Sequence, residues 1–404
     1  MIEIKEKALC TGCSACSSVC SKSSISMQED DEGFDYPIVD AVTCINCHLC
    51  EKICPVTLPQ PKSEATYTIC IQNKDERVRS RSSAGGVIGA VYQAVFQLGG
   101  IVYGVGFDEG NMVRFMKAET LEECFRLKLF TSKYVPAELD NVLSKVKADL
   151  DTERIVCFVG LPCQVAGLHS FLRHEYENLW LIDLTCYGVP SRKLYREYLE
   201  YLENTYHEKI TDVRFRDKSF GYMAQTMSVE LKSGKVKSQN CAVKSYLRCF
   251  FKDIASRPSC YECHFKTVDR VSDITVGDMK SIYKFVQSMD DDLGTTVLYV
   301  HSEKGKKILD AIDDQVRFAE VPLEGVLNTS GKKMVSCPKQ NPERVAFFSE
   351  IDNLSYEMLV KKYCPPDISE YIASMIKGVL KVTGLNRTGV LKAIKRRKDC
   401  LNDK

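Results

Sequence analysis

The chain has 404 residues, 44% hydrophobic and 27% charged, with a formal net charge of +1 and 20 cysteines. That length suits two or three globular units, no apolar run approaches the roughly 20 residues of a membrane-spanning helix, and the near-neutral charge excludes a general basic attraction to nucleic acid. The opening MIEIKEKALC lacks the apolar stretch of a targeting segment, so a cytoplasmic location is expected, where grouped cysteines read as metal ligands rather than disulfides.

Cys10, Cys13, Cys16 and Cys20 form C-x-x-C-x-x-C-x-x-x-C, and Cys44, Cys47, Cys50 and Cys54 repeat it, with Pro55 completing the second copy. In this spacing three crowded thiolates grip one 4Fe-4S cubane while the fourth cysteine reaches its neighbour. One cluster is therefore expected on Cys10, Cys13, Cys16 and Cys54, and the other on Cys44, Cys47, Cys50 and Cys20. Structural zinc would take two separated pairs instead. Ser21 stands where a proline often follows the fourth cysteine, and His48 reads as a solvent-facing spacer. FDYPIV, between the repeats, predicts a short strand. This ferredoxin unit is expected over residues 1–62, ending in a linker at Pro59, Gln60 and Pro61.

Beyond it, Tyr67 to Asn73 predicts a strand, RSRSSAGG a polar turn, and GVIGAVYQAVFQLG a helix stopping at Gly99 and Gly100. The hydroxyls and amides of Ser80 to Gly86 suit a phosphate at a helix N-terminus, although ordinary serine and glycine capping gives the same pattern. GGIVYGVGFDEG alternates like a hairpin; its glycines do not open a helix, so it is not a dinucleotide fingerprint. RIVCFVG predicts a strand running into the helix LPCQVAGLHSFL, with Cys163 at the turn. The strand LWLIDLTC ends on Cys186. Cys260 and Cys263 form a lone C-x-x-C, open to redox, zinc or cluster roles, and a buried unliganded thiol is the alternative for each of these four.

Together RSSAGG, GLPCQVAGL, CYGVPS, RFRDKSFGY, RPSCYECHF and DITVGD resemble, over about residues 66–330, the coenzyme F420 hydrogenase/dehydrogenase beta-subunit family, here fused to a bacterial-type two-cluster ferredoxin. The resemblance implies an α/β flavoprotein body, with the N-terminal family segment over 66–150 and the C-terminal one over 151–330. It implies a third 4Fe-4S cluster on Cys163, Cys186, Cys260 and Cys263. It also implies FAD contacts from Ser82, Ser83, Gly85, Gly86, Ser132, Lys133, Tyr134 and Lys218. MKSIYK after Gly277 and Asp278 departs from the family's aromatic and glycine pattern, which points to a different substrate pocket. The function implied is an oxidoreductase passing electrons between clusters and FAD to act on an organic substrate or a deazaflavin coenzyme. Its partner is a redox protein or soluble carrier. The rival reading is a non-catalytic relay subunit, and no catalytic base is named.

Residues 331–404 read as a helical extension, with ISEYIASMIKGVLKVTG followed by a basic tail of Lys392, Lys395, Arg396, Arg397 and Lys398. Packing on the body is expected there ahead of membrane-surface contact. Cys70, Cys124, Cys157, Cys241, Cys249, Cys337 and Cys364 read as ordinary thiols.

Overall fold

The computed structural model describes residues 1–58, 63, 65, 67–238 and 240–383. The linker residues Pro59, Gln60 and Pro61 and the basic tail from Lys392 to Lys398 lie outside the described residues.

Each N-terminal cysteine run bends through a tight loop into a single helical turn. The first ends in α1 (Ala15–Ser18); an antiparallel hairpin of β1 (Ile25–Glu29) and β2 (Asp35–Val39) follows, and the second run ends in α2 (Leu49–Lys52). The two loops are conformational copies: Gly12 and Asn46 have φ of 70° and 54°, and Ser14 and His48 have φ of 60° and 57°. Glycine and asparagine tolerate that left-handed region best, and alternation of this kind turns successive N–H groups into a concavity for an anionic group.

The body continues with β3 (Tyr67–Asn73), α3 (Glu76–Arg81), α4 (Val87–Gln97), β4 (Ile101–Phe107), β5 (Val113–Ala118), α5 (Leu121–Arg126) and α6 (Val142–Leu150). Two expectations change here. Asp75 caps α3 by accepting from Arg77 N and Val78 N, so the RSRSSAGG stretch is helical as far as Arg81. GGIVYGVGFDEG holds only one strand of its hairpin. Asp108 Oδ1 accepts from Gly110 N and Met112 N, both at 2.9 Å, and the chain returns beyond that turn as β5.

Next come β6 (Val156–Gly160), α7 (Pro162–Leu172), β7 (Leu179–Leu184), α8 (Arg192–Tyr206), β8 (Ile210–Asp217), β9 (Thr226–Leu231), β10 (Val236–Ser238), α9 (Cys241–Phe251), β11 (Ile274–Asp278), β12 (Thr296–Val300), α10 (Glu303–Asp310) and β13 (Val316–Glu320). The main sheet runs β13-β3-β12-β11-β7-β6-β4-β5, parallel across β4, β6, β7 and β11 and antiparallel outside them. This is an α/β fold. VCFVG and LWLI are apolar on both sides because helices cover both faces: Val91 of α4 and Ile308 of α10 lie over one, Val146 of α6 and Leu168 of α7 over the other. Ala15 of α1 joins the second of these cores, which seats the N-terminal module on α6 and α7.

A separate antiparallel sheet, β10-β9-β8, packs with α8 and α9 around Tyr195, Tyr198, Phe215 and Tyr246. The chain then passes through α11 (Leu323–Leu327), α12 (Lys332–Val335), α13 (Arg344–Ser349), α14 (Tyr356–Tyr363) and α15 (Ile368–Thr383). Among the described residues no helix is long and apolar enough to cross a membrane.

Candidate functional site

β6 and β7 are parallel neighbours with Gly160 opposite Asp183, so the segments following them leave the same sheet edge. Cys163 lies in the first turn of α7 and Cys186 two residues beyond β7. The Arg257–Cys263 segment is folded back onto them: Arg257 N donates to Val189 O at 2.9 Å, and Val189 N donates to Cys260 Sγ at 3.4 Å. Cys163, Cys186, Cys260 and Cys263 thereby line one cavity, which Thr11 and Gly12 of the first cysteine run also line.

Burial pushes these thiols up, Cys186 to about 11, Cys260 to about 12 and Cys163 further, with neighbouring thiols adding to the effect at each. Such thiols are neutral until a metal supplies the charge that deprotonates them. Among the described residues no three His, Cys, Asp or Glu side chains converge on a point that would hold a single metal ion. Zinc needs its thiolates about 2.3 Å from one centre. Four thiols lining one cavity form a donor set for a soft, thiophilic metal centre.

In the N-terminal module the burial of Cys13 raises it to about 12, and the thiols of Cys10 and Cys54 contribute. Cys16 is raised by burial and by Cys13, Cys10 and Cys54. The last cysteine of the second run therefore stands beside the first run. Cys20 packs in one small cluster with Cys50, and its Sγ accepts from Ser24 N at 3.3 Å. His48 is exposed, with Nδ1 at 3.2 Å from Glu51 and 3.3 Å from the Met1 amino group.

The module and the cavity touch. A Cβ on Gly167 of α7 would lie 2.8 Å from Cys13 Cβ and 3.1 Å from its Sγ, so glycine is what lets the first run approach the helix carrying Cys163. Cys13 accordingly also acts on the Cys163 thiol.

The residues read as flavin contacts form two groups. Ser83 Oγ accepts from Ser132 N at 2.6 Å, and Lys218 Nζ donates to Arg79 O, Ala84 O and Leu293 O, each at 2.7 Å. Ser82 Oγ donates to Val78 O at 2.7 Å. Gly85 allows close packing, since a Cβ there would lie 2.6 Å from Thr296 N, and Gly86 takes φ 83° to begin α4. Lys133 turns away to donate to Val105 O and Lys128 O. Burial lowers Lys218 to about 7, with Arg79 and Arg216 adding, and lowers Lys133 further. As they stand, Ser82 Oγ, Ser83 Oγ and the Nζ atoms of Lys133 and Lys218 are all engaged in hydrogen bonds within the protein. Beside Tyr134, whose hydroxyl is 3.5 Å from Arg216 Nη1, the buried guanidinium of Arg216 pairs with Asp278 at 2.7 Å, and its Nη2 makes no hydrogen bond among the described residues.

Two segments match known families. Residues 9–58 match the 4Fe-4S dicluster domain, and residues 153–325 match the C-terminal domain of the coenzyme F420 hydrogenase/dehydrogenase beta subunit. The two models match in tandem, the dicluster one ahead of the beta-subunit one. The coenzyme F420-dependent sulfite reductase of Methanocaldococcus jannaschii is 24% identical over 364 residues, which are 87% of this chain and 54% of that protein. The chain thus spans about half the length of this curated relative. A chain of the F420-reducing NiFe hydrogenase complex from Methanosarcina barkeri is similar over 69% of this chain and 92% of its own, at 17% identity and a TM-score of 0.46.

Within the segment matched by the beta-subunit model, Arg257 opens RPSCYECHF, a motif whose spacing points only to its cysteines. Arg270 and Lys266 line the thiol cavity as well. Cys337 is directed at Cys263 O at 4.0 Å, and Cys249 meets Cys364 in the α8–α9 core. Nothing in their local spacing signals these meetings.

Proposed function

We propose that this protein is a cytoplasmic iron–sulfur oxidoreductase component with three 4Fe-4S clusters. Two would be held by the N-terminal module, on Cys10, Cys13, Cys16 and Cys54 and on Cys44, Cys47, Cys50 and Cys20. The third would sit on Cys163, Cys186, Cys260 and Cys263. The observation that carries this reading is the gathering of the last four thiols round one cavity, with Cys13 seated against α7 next to them. Soft thiolates suit iron–sulfur chemistry, and N–H donors to sulfur, as from Val189 to Cys260, favour reduction.

The reading extends to FAD, placed by resemblance near Ser82, Ser83, Gly85, Gly86, Ser132, Lys133, Tyr134 and Lys218. Bound FAD would couple one-electron clusters to two-electron chemistry on an organic substrate. The family description and the sulfite reductase relative support a deazaflavin coenzyme as that substrate class. Arg216, whose Nη2 beside Tyr134 makes no hydrogen bond among the described residues, is a donor this part of the chain offers. The engaged polar atoms of Ser82, Ser83, Lys133 and Lys218 favour a second reading, a relay subunit that passes electrons between a redox protein or soluble carrier and a separate catalytic partner.

Anaerobic purification with iron, sulfide and flavin analysis on one sample separates the two. About twelve irons and one FAD per chain support the flavoprotein oxidoreductase. About twelve irons without flavin, even after reconstitution, support the relay, and about eight irons overturn the third cluster.

A further inference from the structure

Arg257 is 4% exposed, yet no carboxylate pairs with it among the described residues. Asp35 offers it a backbone carbonyl, at 2.8 Å from Nη2, while the Asp35 carboxylate is held by Arg192. A guanidinium keeps its proton even when buried, so a buried arginine without a counter-charge is costly.

What surrounds this cation is sulfur and aromatic carbon. Nη2 lies 3.6 Å from Cys10 Sγ, and Nε donates to Cys10 O at 2.7 Å. The ring of Tyr36 lies 4.4 Å from the guanidinium. A Cβ on Gly12 would come within 3.0 Å of Nη1, so the first cysteine loop is fitted closely to the charge. On its other side Arg257 belongs to the third thiol set: its carbonyl accepts from Cys260 N at 2.9 Å, and it lines the same cavity as the four thiols.

A cubane held by four thiolates is a net anion, and reduction makes it more negative. We propose that Arg257 is the shared counter-ion of the first ferredoxin cluster and the third cluster, tying the two sites together and raising the reduction potential of both. This inference rests on the cluster reading above. It makes Arg257 a positioning residue that acts through Cys10 and Cys260, and the first cluster, whose thiolate it touches, feels it more.

The test uses the full chain, reconstituted anaerobically, with iron analysis and redox titration followed by electron paramagnetic resonance. Arg257→Gln removes the charge and keeps amide donors; Arg257→Lys keeps the charge and loses the fork. Arg257→Gln is expected to lower two midpoints, the larger shift being about 59 mV, a tenfold change in the one-electron oxidised-to-reduced ratio, or to lose about four irons or more; a shift confined to one midpoint overturns the sharing. Arg257→Lys is expected to keep wild-type iron and shift less than half as far. Equal behaviour of the two variants, whether in lost iron or in potential, overturns the counter-ion role, as does a glutamine variant with wild-type iron and midpoints. A wild-type chain with about eight irons refutes the third cluster and with it the sharing; about twelve irons with indifferent variants refute Arg257 alone.

Discussion

His301 illustrates how a single buried side chain sets a pH dependence. Thr275 donates its hydroxyl proton to Asp183, so its oxygen accepts from His301 Nε2 at 2.8 Å. His301 is 3% exposed, and burial, with Arg270 adding, lowers its pKa to about 3. In the unfolded chain the imidazole takes a proton below about pH 6.5, whereas the folded chain holds it neutral down to about 3. The unfolded state therefore binds more protons in that window. Stability from this group is complete above pH 6.5 and falls on acidification, approaching about 1.4 kcal/mol per pH unit. Denaturant midpoints at about pH 7, 6 and 5 should show His301→Gln losing less stability to acid than the wild type. Parallel curves would exclude His301 as the source.

At the scale of elements, the contact between α7 and the first cysteine run depends on the missing side chain at Gly167. Ala15 of α1 is fully buried in the same core as Val165 and Leu168 of α7, so the two helices have little room to separate. Gly167→Ala places a methyl 2.8 Å from Cys13 Cβ and should cost about 1–3 kcal/mol, with loss of about four irons from the neighbouring cluster. Gly110→Ala serves as control, because a Cβ there meets only Asp108 Oδ1 at 3.4 Å. Iron content and thermal unfolding of the two variants decide the matter. If both keep wild-type iron, the tight approach is unnecessary for holding the cluster.

Across the whole molecule, charge as well as apolar packing seats the N-terminal module. Glu29 and Asp35 of the hairpin pair with Arg192, Glu29 also with Arg196, and Glu32 with Arg344. Arg344 is 5% exposed; it forks Glu32 at 3.0 Å and 2.5 Å and donates to Ser256 O at 3.1 Å. Arg344→Met leaves Glu32 unpaired and should cost about 3 kcal/mol. The double variant with Glu32→Gln should cost less than the two single costs added, as measured by denaturant unfolding. Strict additivity would show that the pair does not couple the module to the body.

Wherever the geometry of the site is local, the residue pattern alone carries it. Two cysteine runs of identical spacing imply two copies of one loop, and the structure gives them matching positive φ angles. VCFVG and LWLI are short apolar runs of the kind carried by strands buried on both faces, so Cys163 and Cys186 are legible as residues near strand ends. Which thiols meet is settled by long-range packing. Cys54 comes beside Cys13, and Cys260 beside Cys186, because sheet order and hairpin docking bring distant segments together. The same packing decides that Lys218 bonds to carbonyls as far as 139 residues away, and that Arg257 lies between two sets of thiols. Spacing along a chain limits what one loop can bind; the partner of a long buried cation is chosen by packing, which no local pattern encodes.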